Sequence, residues 1–235
     1  MKQIHFASID STNTYAKNCR NELPQDEITC IGADEQTAGH GKFNRPWLSP
    51  KGVNIYATFF FTLPKDTKQV TCLAQVMAAS VTKVLIQENI EPKIKWPNDL
   101  QLNGKKLCGV LCELVFQSET IAVILGFGVN VNMEATELQT IGQPATSLKI
   151  ETGKTWDKEE LLKKIQMQFE QDLLVFKENG FAPFHYFVEQ RLSNQTVKFF
   201  DGKQEWIGTY QSLNADGGLN INLSDQTIRT IYSLS

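Results

Sequence analysis

The run Lys95-Trp96-Pro97-Asn98-Asp99 leads through Leu100-Gln101-Leu102-Asn103-Gly104 into Lys105-Lys106-Leu107-Cys108-Gly109. Pro97 restricts the residue before it to an extended conformation, so Lys93–Trp96 and Leu100–Leu102 read as short strands. Asn103-Gly104 is the strongest two-residue hairpin signal a sequence can carry. Beyond it, Lys106–Phe116 and Thr120–Val131 are apolar strands. On the other side, Val70, Leu73, Met77, Val81 and Val84 recur at helical spacing and predict an amphipathic helix over Thr67–Glu88. A helix feeding a group of hairpin-linked strands is the pattern of a sheet with helices packed against it.

Further upstream, Gln3–Ile9, Ile28–Gln36 and Val53–Leu63 read as strands, the last β-branched, aromatic and free of charge, as a buried strand is. Asp10-Ser11-Thr12-Asn13 is rich in helix-capping residues and precedes a helix expected over Tyr15–Leu23. Downstream, Leu161, Ile165, Phe169, Leu173 and Phe176 line one face of a helix over Glu160–Asn179 that Gly180 ends, and Phe181–Leu192 is a shorter helix. The last forty residues change rhythm. Val197–Phe200, Glu205–Ser212, Leu219–Leu223 and Thr227–Leu234 are short strands separated by Asp201-Gly202, Asp216-Gly217-Gly218 and Ser224-Asp225, as in a small antiparallel barrel. The expected fold class is α+β: a mixed sheet with packed helices over residues 1–192 and a small β domain over 193–235.

Composition narrows the function. With 235 residues, 41% hydrophobic and 21% charged, the chain has material for a substantial core. A formal net charge of −3 provides no general basic field for nucleic acid. The five cysteines form no CxxC pair, which indicates neither a zinc ribbon nor a disulfide framework. The N-terminus lacks an apolar signal core and no apolar run approaches about 20 residues, so the expectation is a cytoplasmic protein with no membrane partner.

Three segments carry chemistry. Gly39-His40-Gly41-Lys42-Phe43-Asn44-Arg45-Pro46-Trp47 combines glycines that admit a ligand to the backbone, positive side chains, and an indole with a flat apolar face. The same loop also suits a solvated turn anchored by a buried tryptophan. It is not a P-loop, and no GxGxxG joins a strand to a helix. Asp99 has the chemistry to bind Mg²⁺ or orient an amine, and equally that of a turn carboxylate. Lys106 opens an apolar strand, with its ammonium directed into a pocket or snorkelling at the strand end. Gly126-Phe127-Gly128-Val129-Asn130-Val131-Asn132 ends a buried strand with small residues and amides.

In this order, Asp10 through Asn13, Gln36 through Trp47, Ser49-Pro50, Lys95 through Asp99, Lys105 through Gly109, Gly126 through Asn132 and Ala145-Thr146-Ser147-Leu148 resemble the biotin–protein ligases. The resemblance runs along essentially the whole chain, and KWPND ahead of KKLxG is its most specific part. It implies a fold similar to the catalytic domain of class II aminoacyl-tRNA synthetases followed by an SH3-like domain. It also implies ATP and biotin as substrates, Mg²⁺, and transfer of biotin to a lysine of a biotin carboxyl carrier domain of acetyl-CoA carboxylase or another biotin-dependent carboxylase. Carried over position by position, Ser11, Thr12, Asn13, Gln36, Gly39, His40, Gly41, Lys42, Lys106 and Gly109 bind biotin. Lys42, Arg45, Trp47, Asn98, Lys106 and Asn130 bind ATP, with Trp47 against adenine. Lys106, Asp99 and Arg45 are catalytic, and Asp99 is the candidate Mg²⁺ ligand.

Two departures stand out. The family loop commonly reads GRGRxGRxW, whereas His40, Lys42 and Asn44 stand where Arg, Arg and Gly are usual, which weakens the expected grip on an adenylate. The biotin-site motif begins within the first dozen residues, so no N-terminal DNA-binding domain and no DNA partner are expected. A homodimer through an exposed sheet edge is compatible with the family. The rival readings are a lipoate or octanoyl ligase of related fold and a non-catalytic biotin sensor.

Overall fold

The computed structural model describes residues 1–193, 196–200 and 204–232. The Asp201-Gly202 turn and the end of the last expected strand, at Leu234, lie outside the described residues. The chain divides into two compact units, Met1–Thr67 with Gln101–Gln166, and Lys68–Leu100 with Met167–Ser235.

The first unit is built on a mixed sheet. Its strands are β1 (Lys2–Phe6), β2 (Thr29–Ala33), β3 (Ile55–Pro64), β6 (Lys105–Phe116) and β7 (Thr120–Val129); in chain order α1 (Thr12–Asn18) follows β1, and α2 (Leu73–Gln87), β4 (Lys93–Lys95) and β5 (Asp99–Leu102) come between β3 and β6. The spatial order is β1-β2-β3-β7-β6, with β5 beside β6. β1 and β2 run parallel, and the pairs β2–β3, β3–β7 and β7–β6 are antiparallel. β3 and β7 occupy the middle and are buried over almost their full length, which explains why neither alternates apolar with polar residues. Asn103 and Gly104 have φ of 50° and 74°, the left-handed pair of a primed turn whose twist matches the strands it joins.

α1 lies on one face of this sheet. Ala16, Leu23, Ile31, Phe60, Ala122 and Ile124 form the core beneath it, with Phe6 and Tyr15 packed edge to face at 4.9 Å. The helix begins at Thr12, three residues earlier than the sequence predicts, because Ser11 is itself the N-cap and its Oγ accepts the Thr14 N–H at 3.4 Å. Two short helices, α3 (Ala135–Leu138) and α4 (Leu148–Thr152), have too few residues to show a period and are absent from the sequence reading.

In the second unit, α2 is almost wholly buried. The stretch Val70–Gln87 is long and apolar enough to cross a membrane by composition, contrary to the expectation that no run comes close, but 72% of it is covered by protein. From α5 (Lys158–Asn179), Asp172 accepts from Ser80 Oγ at 2.7 Å and Lys83 Nζ at 2.6 Å, so its buried carboxylate is matched in charge and in hydrogen bonds. α6 (Ala182–Glu189) is followed by β8 (Thr196–Phe200), β9 (Glu205–Leu213), β10 (Leu219–Leu223) and β11 (Ile228–Ile231), an antiparallel sheet in the order β11-β10-β9-β8. Glu189 accepts from the Leu213 N–H at 2.9 Å, and the Trp96 indole donates to the Gly217 carbonyl at 3.3 Å. These strands share a compact unit with α2 and α6.

The buried thiols are structural. Desolvation pushes Cys30 up to about 11 and Cys72 and Cys112 to about 12, so they are protonated near neutral pH.

Candidate active site

The face of the sheet that carries α1 also carries an unusual row of small residues. Strand register places Gly126 between Thr58 and Leu111, and Gly128 between Tyr56 and Gly109. Alternation along β7 turns both glycines to the same side. The floor they form is filled from above by two side chains. A Cβ on Gly126 would lie 2.0 Å from Asn13 Oδ1, and one on Gly128 would lie 2.5 Å from Trp47 Nε1.

The start of α1 brings Ser11, Thr12 and Asn13 to this floor, all three buried. The Thr12 backbone N–H donates to Gln36 Oε1 at 2.9 Å, and Gln36 Nε2 donates to Ser49 Oγ at 3.1 Å. Ser49 Oγ in turn donates to the Trp47 carbonyl at 3.0 Å. Thr58 Oγ1 lies 2.8 Å from Thr12 Oγ1 and 2.6 Å from Asn13 Oδ1. Asn13 Nδ2 donates to Glu113 Oε2 at 3.2 Å, while Lys17 Nζ holds the other carboxylate oxygen at 2.9 Å. Ser11, Thr12, Asn13 and Gln36 are thus brought together, as the sequence predicts. Thr58 and Glu113 were missed. Their signal was a threonine hydroxyl in the apolar run of β3 and a lone carboxylate in that of β6.

The loop Gly39–Trp47 returns on itself. Trp47 N–H donates to the Gly39 carbonyl and Gly41 N–H to the Arg45 carbonyl, each at 2.8 Å. Gly39 has no room for a side chain, since a Cβ there would sit 2.7 Å from Ser49 Oγ and 2.9 Å from Gln36 Nε2. At the tip Phe43 and Asn44 have φ of 59° and 55°, so the position where a glycine is usual is occupied by the residue that best tolerates this region. Lys42 and Arg45 flank the exposed Phe43 ring at 4.8 and 5.8 Å. Burial, and then the Arg45 charge, lower the Lys42 pKa below the ordinary lysine value. His40 turns to the loop itself, with Nδ1 3.1 Å from the Ala38 carbonyl.

Lys106 places its ammonium 5.2 Å from the centre of the Trp47 ring, and its terminal carbons and nitrogen pass over Gly109. Its backbone is gripped on both sides, N–H to the Pro144 carbonyl and carbonyl from the Thr146 N–H, each at 2.9 Å. Asn130 braces this arrangement from behind: its amide donates to the Thr146 carbonyl at 3.0 Å and accepts from Asn54 at 3.4 Å. A cavity of ≈ 520 Å³ opens beside the same segment, lined by Lys105, Leu138, Ile141, Gln143, Thr146 and Ile150 among others. Asn98 and Asp99 stand in the second unit, partly buried, just after the cis Trp96–Pro97 bond. Among the described residues no three His, Cys, Asp or Glu side chains converge on a metal site.

The sequence of residues 5–130 matches the family model of the Biotin/lipoate A/B protein ligase family, more than half of the chain. The chain belongs to this family. Within it, the bifunctional ligase/repressor BirA of Escherichia coli is 31% identical over 90% of this chain, and the chain spans 66% of that protein, just under two thirds. The biotin–[acetyl-CoA-carboxylase] ligase of Paracoccus denitrificans is 28% identical, with 91% of both chains covered. Among solved structures, the biotin protein ligase from Aquifex aeolicus in complex with biotin and ATP superposes with a TM-score of 0.82 at 31% identity, covering 99% of this chain and 96% of that one. The fold of this Biotin/lipoate A/B protein ligase family member, a mixed sheet with a separate four-stranded antiparallel sheet after it, matches that of the solved biotin ligases.

Proposed function

We propose that the chain is an ATP-dependent biotin–protein ligase. It joins the biotin carboxylate to the α-phosphate of ATP, releasing pyrophosphate, and passes the biotinyl group from AMP to a lysine of a biotin carboxyl carrier domain in the cytoplasm. The observation that carries this reading is the pairing of a buried polar network, Thr12–Asn13–Thr58–Gln36, with a lysine ammonium on the same glycine-floored face. A ureido ring needs buried hydrogen-bonding partners, and a carboxylate meeting a phosphate needs positive charge. The network takes the ring and Lys106 takes the two anions.

In the first step a biotin carboxylate oxygen bonds to the α-phosphorus as the bond to the β-phosphate oxygen breaks. Lys106, Lys42 and Arg45 offset the charge that accumulates there. Trp47 packs against adenine. In the second step the acceptor amine attacks the acyl carbon and AMP leaves with the phosphate oxygen. A free lysine near pH 7.4 is neutral in only about one molecule in a thousand, so a base or a positioning carboxylate is required. For that role, and for the nucleotide side, Asp99 and Asn98 rest on the family motif alone.

The test is incubation with ATP, Mg²⁺, labelled biotin and an apo carrier domain. Label attached to the carrier in an ATP-dependent manner supports the reading. Attachment of lipoate or octanoate in preference to biotin makes the chain the other kind of ligase in its family. Biotin binding with neither AMP nor attachment makes it a sensor.

The loop supplies a further prediction. With His40 and Lys42 in place of arginines, the grip on biotinyl-AMP lacks planar forks that make bidentate contacts. The double substitution His40→Arg, Lys42→Arg should slow release of labelled biotinyl-AMP by about fivefold, on the order of 1 kcal/mol. Release that is equal or faster in a chase experiment would show that this loop does not retain the adenylate through charge.

A further inference from the structure

We infer that Glu113 is a positioning residue that sets the site's preference for a ligand bearing N–H groups, acting through Asn13; the inference rests on the biotin reading above. An amide side chain has almost the same shape after a half-turn that exchanges its oxygen and nitrogen. Only its hydrogen-bond partners fix which way it points. In this network three groups can act in one sense only. The Thr12 backbone N–H can only donate, and it holds Gln36 with Oε1 inward and Nε2 toward Ser49. At the other end the Glu113 carboxylate at 3.2 Å, with the Leu111 carbonyl at a longer 3.5 Å, accepts from Asn13 and holds it with Nδ2 outward and Oδ1 toward Thr58.

The Thr58 hydroxyl between them is then fixed, and the Thr12 hydroxyl has two choices. Thr58 has one proton, and the 2.6 Å contact to Asn13 Oδ1 takes it. The Thr12 proton goes to Thr58 Oγ1 at 2.8 Å or to Gln36 Oε1 at 3.1 Å. Either way Thr12 Oγ1 and Asn13 Oδ1 keep lone pairs, so the network offers acceptors to a ligand. The two N–H groups of a ureido ring are the matching donors, and a plain acyl chain has none. If Asn13 turned over, its oxygen would face away from Thr58, the Thr58 proton would fall back on Thr12, and both acceptors would be diminished.

Lys17 makes the inference sharp. Its ammonium holds Glu113 Oε1 at 2.9 Å, leaving Oε2 for Asn13. In Glu113→Gln the single oxygen goes to the lysine, because a charged donor is the stronger partner. The amide NH₂ then faces Asn13 and forces it over. The mildest substitution at this position is therefore predicted to be a damaging one, and removal of Lys17 should relieve it by freeing the new oxygen for Asn13.

The experiment is calorimetric titration of the full chain with biotin and with octanoate, which lacks the ureido ring. Glu113→Gln should raise the biotin Kd by about tenfold or more and change the octanoate Kd by less than about twofold. Adding Lys17→Leu should recover most of the loss. Urea midpoints of all variants separate this from general destabilisation, and Glu113→Leu, which can neither accept nor donate, should lie between wild type and Glu113→Gln. Equal losses for both ligands, an unchanged biotin Kd, or no recovery with Lys17→Leu would overturn the inference while leaving the ligase reading standing. A wild-type protein that does not bind biotin would overturn both.

Discussion

Lys106→Ala should lower biotin-dependent AMP release by about a thousandfold with the fold intact. The estimate comes from Coulomb's law. Two unit charges at about 4 Å in a site of effective dielectric near 20 interact by roughly 4 kcal/mol, and each 1.36 kcal/mol is about tenfold in rate. The ammonium is set for this role: it passes over Gly109, where a side chain would collide with it, and rests 5.2 Å from the Trp47 ring. Its backbone is clamped by Pro144 and Thr146, so the charge is placed by the sheet and not by a mobile stem. Arginine at this position should recover only part of the rate, because a guanidinium is bulkier than the channel between Trp47 and Gly109 and spreads its charge. The measurement is AMP release in single turnover, with biotin affinity and urea midpoint recorded alongside. A loss of less than tenfold would mean that Lys42 and Arg45 carry the charge stabilisation, and the assignment of Lys106 would fail.

How much of this site the sequence made legible depends on the kind of residue. Ser11, Thr12, Asn13 and Gln36 were named through the resemblance, and the structure joins Thr12 to Gln36 and both Thr12 and Asn13 to Thr58 by hydrogen bonds. The strands and long helices were legible because their patterned runs are long: α5 was found to within a turn, α2 starts six residues after the expected Thr67, and α1 was expected late only because Ser11 is itself the cap. Thr58 and Glu113 were not legible as site residues. Each lies within a mostly apolar stretch of its strand, and only strand pairing reveals that Thr58 lies across from Gly126 and beside Asn13. Asn130 shows the reverse case. Its amide was named as a nucleotide contact through the resemblance, while its hydrogen bonds to Thr146 and Asn54, which brace the segment behind Lys106, had no signal in the sequence. Sequence order cannot report which side of a hydrogen bond is already taken.

The glycine floor gives the other large effect, and it separates the two substrates. Gly126→Ala would set a methyl group 2.0 Å from Asn13 Oδ1 and 2.7 Å from its Cγ. Asn13 cannot yield by rotating, because Glu113 holds one end of its amide and Thr58 the other. The side chain must leave its place, and biotin affinity should fall by about a hundredfold, on the order of the 3 kcal/mol that such overpacking costs. Gly128→Ala sits two residues on, on the same side of β7, but its methyl group would lie 2.5 Å from Trp47 Nε1 and 2.6 Å from Cε2. It should displace the indole and weaken nucleotide binding, leaving biotin affinity within about threefold of wild type. The pair is decisive because chemistry and burial are the same at both positions and only the overlying side chain differs. Calorimetric titration of both variants with biotin, and with ATP in the presence of biotin, reads the two effects separately. If both variants lose both ligands alike, the floor is a common support, and the division of this face into a ring-binding end under Asn13 and a nucleotide end under Trp47 is wrong.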